Sequence, residues 1–377
     1  MTMLVSSSLQ LAMDRAVAKG VFPGAVLAVR RGGERIWLIP VGRLSSDRSS
    51  AAVEASAIYD LASLTKPLVT VTSLALLVQS GRCRLDAPLA SVLSELEGET
   101  VGSATFRQLL THSSGLPGWR GFYEQLSPNA VLPSSAQERS RANGQLLELI
   151  RREPLIYQRG ERSLYSDLGF MLLGLAIERL TGCGLDRFAQ DQIVKPMRGT
   201  PMCYLPLNQE DSGKTPDWGS LIAPTEWDPW RNRLLCGEVH DENAAALGGV
   251  AGHAGLFGTA ETVLAVTGGW LAAYHHRPSI LEPEIVRDFL QCQKSMCGSS
   301  WVLGWDTPSS PSSSGQFFSQ TSFGHLGFTG TSVWIDPSCE LEVVLLSNRV
   351  HPTRKNEEIR AFRPLIHDLA YRECVGC

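Results

Sequence analysis

Ser63-Leu64-Thr65-Lys66 sets a hydroxyl and an amine three residues apart at what reads as the start of a helix. Positions i and i+3 share one face of a helix, so the Lys66 amine can reach the Ser63 oxygen. The chemistry open to such a pair is nucleophilic attack by a hydroxyl, with the amine as its base. Arginine outnumbers lysine 28 to 6 in this chain, so its composition turns to arginine wherever a fixed positive charge is enough. A base must be able to give up its proton. Arginine, with a pKa above about 12, does not, whereas burial and neighbouring positive charge bring lysine down from about 10.4.

Two further segments carry groups for proton transfer. Tyr165-Ser166-Asp167 follows a loop containing Gly160 and precedes the apolar run Leu168 to Leu175. The tyrosine therefore stands at a helix start, where its phenol can point into a cleft and relay a proton to a leaving group. A tyrosine packed beneath the helix is the other reading. Gly324-His325-Leu326-Gly327-Phe328-Thr329-Gly330-Thr331 places three glycines before an expected strand. Glycine lets a backbone approach a substrate closely, and an exposed edge N–H can stabilise an oxyanion. His325 adds a donor or proton carrier there, or is an ordinary loop histidine.

The elements that must position these groups follow from periodicity. Leu9 to Lys19 has helical spacing and Gly20 as its stop; Ala25 to Arg30 and Arg35 to Val41 read as strands of a hairpin around Gly32-Gly33. Leu64 to Gln79 is helical and so apolar that it belongs at the centre of the protein. Leu146 to Arg151, Phe170 to Leu180 and Glu261 to Tyr274 are helical, Gly199 to Arg233 is crowded with breakers, and a Ser/Pro-rich loop runs from Pro308 to Gly315. Thr331 to Ile335 and Leu341 to Leu346 alternate like antiparallel strands around Asp336-Pro337. Glu357 to Ala370 closes as an amphipathic helix with Ile359, Phe362, Leu365, Ile366 and Leu369 on one face. The order implies an α/β (α+β) fold in which residues 1–79 and 250–377 form a discontinuous domain, residues 80–249 an inserted helical domain, and the active site lies between them.

Composition narrows the function. With 377 residues, 43% hydrophobic and 19% charged, the chain buries a large core, and its net charge of −4 without a basic run argues against nucleic acid. No run approaches the 18 or so consecutive apolar residues of a membrane span. Met1 to Gly20 reads as a first helix rather than an export signal. Nine cysteines, an odd number without a regular framework, fit free thiols in a reducing cytoplasm, and the Cys374/Cys377 pair reads as an ordinary tail.

Together, Ser63 to Lys66, Tyr165 to Asp167 and His325 to Gly327 resemble the serine β-lactamase and penicillin-binding protein superfamily, whose signature is SxxK, an SDN-type triplet and KTG. They are most similar to its class C and D-alanyl-D-alanine carboxypeptidase branch, where the second motif begins with tyrosine and the third can be HxG. Leu109-Leu110-Thr111-His112-Ser113-Ser114-Gly115-Leu116 is a segment frequent in that family, and the resemblance covers nearly the whole chain. It implies a β-lactamase-like fold, with an antiparallel sheet flanked by helices. Ser63 is then the nucleophile, Lys66 its general base, Tyr165 a second proton carrier and His325 the counterpart of the KTG lysine, with Gly327 as its glycine. The backbone N–H groups of Ser63 and Phe328 form the oxyanion hole.

Two departures bear on the substrate. Asp167 stands where the family usually has asparagine, removing an amide donor but offering a charge to neutralise Lys66. His325 in place of lysine departs from most true β-lactamases and argues against efficient β-lactam hydrolysis. Gly237 to Ala244 and Gly248 to Phe257 resemble a subgroup that includes muramyl-peptide amidases. His240, Asp241, Glu242 and His253 could bind a metal, but a serine nucleophile needs none, and the glycines suggest a loop over the cleft; no metal and no cofactor is expected. Asn348 to Arg354 is also familiar from that subgroup. Arg349 or Arg354 can hold a substrate carboxylate in bidentate fashion, or sit in a surface salt bridge. The expectation is a cytoplasmic serine hydrolase acting on an amide or ester of a small molecule or peptide, foremost a peptidoglycan-derived fragment. A carboxylesterase of small acyl esters and a non-catalytic sensor on the same fold are the alternatives.

Overall fold

The computed structural model describes residues 7–33, 36–199, 201–207, 218–291 and 298–376. Helix α1 (Ser7–Ala18) leads into β1 (Gly24–Arg31) and β2 (Trp37–Gly42), an antiparallel pair with Leu27 opposite Ile39. Gly32 and Gly33 follow β1 with φ of +58° and +74°, the left-handed conformation in which a residue without Cβ is unstrained. The chain then leaves the sheet. A helical stretch opens with a tight turn at Ala62–Leu64, widens over Lys66–Val71 and continues as α2 (Thr72–Gln79). Next come α3 (Phe106–Leu110), α4 (Ala136–Arg151), α5 (Asp167–Thr181), α6 (Glu242–Ala246) and α7 (Ala260–Tyr274). The sheet is completed late by β3 (Phe323–Leu326), β4 (Ser332–Asp336) and β5 (Leu341–Ser347), and α8 (Ile359–Val375) closes the described chain.

The strand order is β2-β1-β5-β4-β3, antiparallel throughout, with the two ends of the chain paired at its centre through Leu27 and Leu345. Both faces of the sheet are covered, which explains why β1 reads as a continuous apolar run. Alternate residues point to opposite faces. Ala25, Leu27 and Val29 meet α1 and α8, while Val26 and Ala28 face the larger core beneath α2 and α7. That larger core runs without a break from the sheet into α4 and α5. A second, small sheet joins Tyr59–Asp60 and Met202–Tyr204 to Leu256–Gly258, so it places the start of the Ser63 turn against the 250s.

Some expectations are corrected in detail. The α4 helix begins at Ala136 rather than Leu146, since its first half, AQERSRANG, is polar and hides the periodicity; Ser135 caps it by accepting the Glu138 N–H. His325 lies within edge strand β3, not in a loop before the strand. On α8, Leu365 is 55% exposed, while Arg363 and His367 take inward positions beside Phe362 and Ile366. Arg35, placed at the start of the second strand, and Cys377 of the terminal cysteine pair lie outside the described residues. Among the described residues one helical stretch, Ala62–Gln79, is long and apolar enough to cross a membrane, and 78% of it is buried inside the protein. The bent pair Asp167–Thr181 and Leu185–Val194 would be a second if counted as one span.

Candidate active site

Ser63 sits in the tight turn that follows the short strand Tyr59–Asp60. Ala62, just before it, has φ of +48°, an uncommon and strained value for a residue with a Cβ. Buried Asp60 holds that turn by accepting the Ala62 N–H at 2.8 Å. One turn on, the fully buried Lys66 donates from Nζ to Ser63 Oγ at 3.1 Å and to the His253 carbonyl at 3.2 Å. Asp167 Oδ1 lies 2.7 Å from the same nitrogen, a close ion pair. Burial pulls the Lys66 pKa down, yet Asp167 and Tyr165 outweigh it and hold it above the ordinary lysine value. The shift is opposite to the one expected of a resting base, so Lys66 is an ammonium when the cleft is empty.

Tyr165 precedes α5, and Asp167 opens it. Ser166 caps the helix, taking the Gly169 N–H at 3.4 Å and donating its hydroxyl to the Pro117 carbonyl at 2.7 Å. The ring of Tyr165 lies 4.6 Å from His112 and 5.5 Å from Trp301, centroid to centroid. His112 Nδ1 accepts the Ser166 N–H at 3.1 Å, so its proton is on Nε2. Lys66 Nζ stands 4.9 Å from the Tyr165 ring centroid. Burial raises the phenol's pKa, and Lys66 only partly opposes this, so Tyr165 rests as a neutral donor.

His325 comes to the cleft from β3, with its ring centroid 6.0 Å from Tyr165 and 5.5 Å from Trp301. Its Nδ1 is 2.8 Å from the Leu326 carbonyl, which can only accept, so Nδ1 carries the hydrogen. Nε2 is then a lone pair, and it is buried without a partner among the described residues. Burial, reinforced by the charge of Lys66, pushes the His325 pKa down to about 3. A neutral acceptor therefore occupies the position where the family pattern has a cationic lysine.

The turn after β3 is tied to the Ser63 turn by two hydroxyls. Thr329 Oγ1 donates to Asp60 O at 2.8 Å and Thr331 Oγ1 to Leu61 O at 3.0 Å. At Gly327 an added Cβ would fall 2.0 Å from Thr331 Oγ1 and 2.7 Å from Leu61 O, so only glycine lets the two turns meet. Gly327 gives its own N–H to Thr331 O. Among the described residues the N–H groups of Ser63 and Phe328 take no part in the backbone bonds that hold these turns.

The far wall is built of side chains from distant segments. His240 Nε2 is 2.8 Å from Glu226, and the His240 ring stacks on Phe328 at 5.6 Å. Arg354 is paired with Glu226 at 2.6 Å and Glu242 at 2.7 Å, while Asp241 holds His253 at 2.9 Å. His240, Asp241, Glu242 and His253 are thus committed pairwise, and among the described residues no three such groups form a metal cluster. Arg349 gives its N–H groups to the carbonyls of Phe328, Arg354 and Asn356 at 2.7–2.9 Å. These walls enclose a cavity of about 570 Å³ lined by Ser63, Tyr165, Asp167, His325, Phe328 and Arg349 among others. Trp119, Trp301, Asp306 and Arg363 also line it and were not singled out from the sequence. Burial brings the Asp306 carboxyl up to about 6.

A family model described as Beta-lactamase matches residues 9–367. The chain is 32% identical over 365 residues to the N-acetylmuramyl-L-alanine amidase of Bacillus subtilis (strain 168), covering 90% of this chain and 80% of that protein. Among solved structures, EstCE1, described as a hydrolase with promiscuous acyltransferase activity, superposes with a TM-score of 0.72 at 18% identity, covering 96% of this chain and 97% of that one. The octameric penicillin-binding protein homologue from Pyrococcus abyssi gives 0.72 at 18% identity, covering 97% and 77%. At that identity the two structures speak for the fold.

Proposed function

This chain belongs to the beta-lactamase family and is a hydrolase of beta-lactamase-like fold, and from that premise we propose that it forms an acyl-enzyme on Ser63 with an amide or ester substrate. The observation that carries the reading is the 3.1 Å contact of Lys66 Nζ with Ser63 Oγ, in one cavity with Tyr165 and the Phe328 turn. Lys66 begins as an ammonium beside Asp167. When substrate excludes water, the Lys66 proton passes to the Asp167 carboxylate, and the freed amine takes the Ser63 proton as Oγ attacks the carbonyl. The new oxyanion accepts from the N–H groups of Ser63 and Phe328. Tyr165 protonates the leaving group and recovers a proton from Lys66. Water then attacks the acyl carbon, its proton passing to Lys66 by relay through Tyr165 or His325 Nε2; Lys66 hands that proton to Ser63 Oγ as the acid leaves, and Asp167 returns its proton to Lys66, which restores the starting state.

The substrate of this reading is a peptidoglycan-derived peptide or muramyl peptide, supported by the named activity of the Bacillus relative. Arg349 is the residue we assign to an anionic group of the substrate, because none of its recorded partners is a carboxylate; Arg354 already faces two and serves as a brace for the wall. The same reading keeps residues 1–79 and 250–377 as one discontinuous domain and 80–249 as an inserted domain, with the cleft between them. A cytoplasmic setting belongs to the same reading, on the irregular cysteines. The test is intact-protein mass spectrometry after a fluorophosphonate probe. One adduct on the wild type and none on Ser63→Ala is expected, followed by turnover of muramyl peptides in preference to short acyl esters. An unmodified, folded wild type would instead favour a non-catalytic sensor.

A further inference from the structure

Arg363 is a cation where the chain's own apolar pattern leaves no place for one. It occupies the inward face of α8 between Phe362 and Ile366, is 6% exposed, and among the described residues it forms no ion pair. Its Nη2 donates to the carbonyls of Gly327 at 2.7 Å and Thr331 at 2.8 Å, and its Nε is buried with no partner among the described residues. Burial, with Arg349 and Arg360 adding like charge, lowers its pKa to about 9, so this guanidinium is held at a cost to folding. A merely mechanical tie between α8 and the β3–β4 turn could be made by a neutral donor.

The carbonyl of Gly327 and the N–H of Phe328 belong to the same peptide group. A positive charge bonded to the oxygen end draws electron density from the nitrogen end and makes that N–H a stronger donor. Gly327 O also takes the Gly330 N–H at 3.2 Å, and Arg349 Nε bonds the next carbonyl, Phe328 O, at 2.9 Å, so the carbonyls of the turn are fixed on a residue, Phe328, that lines the cavity. We propose that Arg363 is a positioning residue for the oxyanion hole: it orients and polarises the Gly327–Phe328 peptide so that the Phe328 N–H meets developing negative charge. The inference rests on the acyl-enzyme reading above. It adds to that reading a buried residue of the cavity wall that acts through the Gly327–Phe328 peptide and whose charge is felt chiefly in the transition state, where the oxygen becomes negative.

The charge and the hydrogen bond are separated by comparing Arg363→Lys, Arg363→Gln and Arg363→Met in the full chain, each first checked for a cooperative unfolding transition. Lysine keeps the charge, glutamine keeps a neutral donor, and methionine keeps neither. The expected order of kcat is wild type, Lys, Gln, Met, with Gln about tenfold or more below wild type and KM within about twofold. The affinity for an arylboronic acid, which mimics the tetrahedral adduct, should fall in step with kcat/KM. Should the methionine variant not fold, the Lys and Gln pair alone decides the order. Gln equal to or better than Lys, or boronate affinity unchanged across folded variants, would reduce Arg363 to a structural tie. The rate of fluorophosphonate labelling of Ser63 separates the two hypotheses. A reactive wild type with an unaltered rate in the variants overturns the role of Arg363 alone, and an unreactive wild type overturns both.

Discussion

On the wall that carries Ser63, positive charge is met by negative charge at close range, with Lys66 2.7 Å from Asp167 and beside the Tyr165 phenol. Across the cavity, Arg349 and Arg363 are met by backbone carbonyls. The two arrangements suit different work. A titratable ammonium beside a carboxylate can exchange its proton, so the first wall is suited to proton transfer. A guanidinium does not titrate in the working range, so the second wall supplies a fixed field and a fixed backbone. His325 lies between them as a neutral acceptor, and this cleft therefore reserves its permanent cations for the wall behind the turn.

The contrast breaks most sharply at Lys66. Lys66→Ala removes the proton carrier and leaves Asp167 without its counter-charge; kcat should fall by about 10³-fold or more while the protein still unfolds cooperatively, and measurable steady-state turnover near the wild-type level would end the proton-moving account of that wall. Next in size is an acid effect on stability. Burial pushes His325 down to about 3 and His367 to about 4, both below the unfolded value of about 6.5. Between those values the unfolded chain binds more protons than the folded one, so stability is complete above about pH 6.5 and declines as pH falls toward 4 and then 3. Denaturant midpoints at pH 7, 5.5 and 4.5 should descend in that order, and substituting His367 by Asn should flatten the descent.

Arg354 offers a smaller perturbation of the second wall. Arg354→Gln leaves Glu226 with His240 and the backbone N–H of residue 354 and takes from Glu242 its ion-pair partner, a loss on the order of 1–3 kcal/mol readable as a shift of the urea midpoint; no shift would mean that those ion pairs only line the surface. The finest test concerns the resting charge of Lys66. Asp167→Asn removes both the carboxylate that raises the lysine and the acceptor of its proton, so the Lys66 pKa falls, its amine must form by loss of a proton to solvent, and kcat/KM should rise with pH where the wild type is level. A profile unchanged from the wild type would assign control of it to another group, with Asp306, which titrates at about 6 in the cavity wall, the first to examine.

The legible part of this site was local. A nucleophile and an amine at i and i+3, a tyrosine at a helix start and closely spaced glycines around a strand end are patterns written within a few residues, and folding brings them together at one cavity. What reading by pattern misplaced was polarity on a helix face. Periodicity turned Leu365 inward and passed over Arg363, because an arginine in an amphipathic helix is ordinarily solvated; the carbonyls that bind it lie 36 and 32 residues away. His112 was in view as part of a motif, yet its work of shelving Tyr165 and holding Ser166 needs a contact across 54 residues. Asp60 gave no signal either, although its atoms reach Ala62, His240 and Thr329.

By itself the sequence determined the groups that can react, the helices and strands that carry them, and the alternation that lets β1 serve two cores, because each depends on backbone geometry repeating over two to four residues. Only the tertiary structure decided the protonation of those groups: Lys66 charged, Tyr165 and His325 neutral, and Arg363 a buried cation with no ion pair among the described residues. The physical reason is that charge state follows from desolvation and from neighbours a few ångströms away, and here those neighbours come from parts of the chain up to hundreds of residues apart.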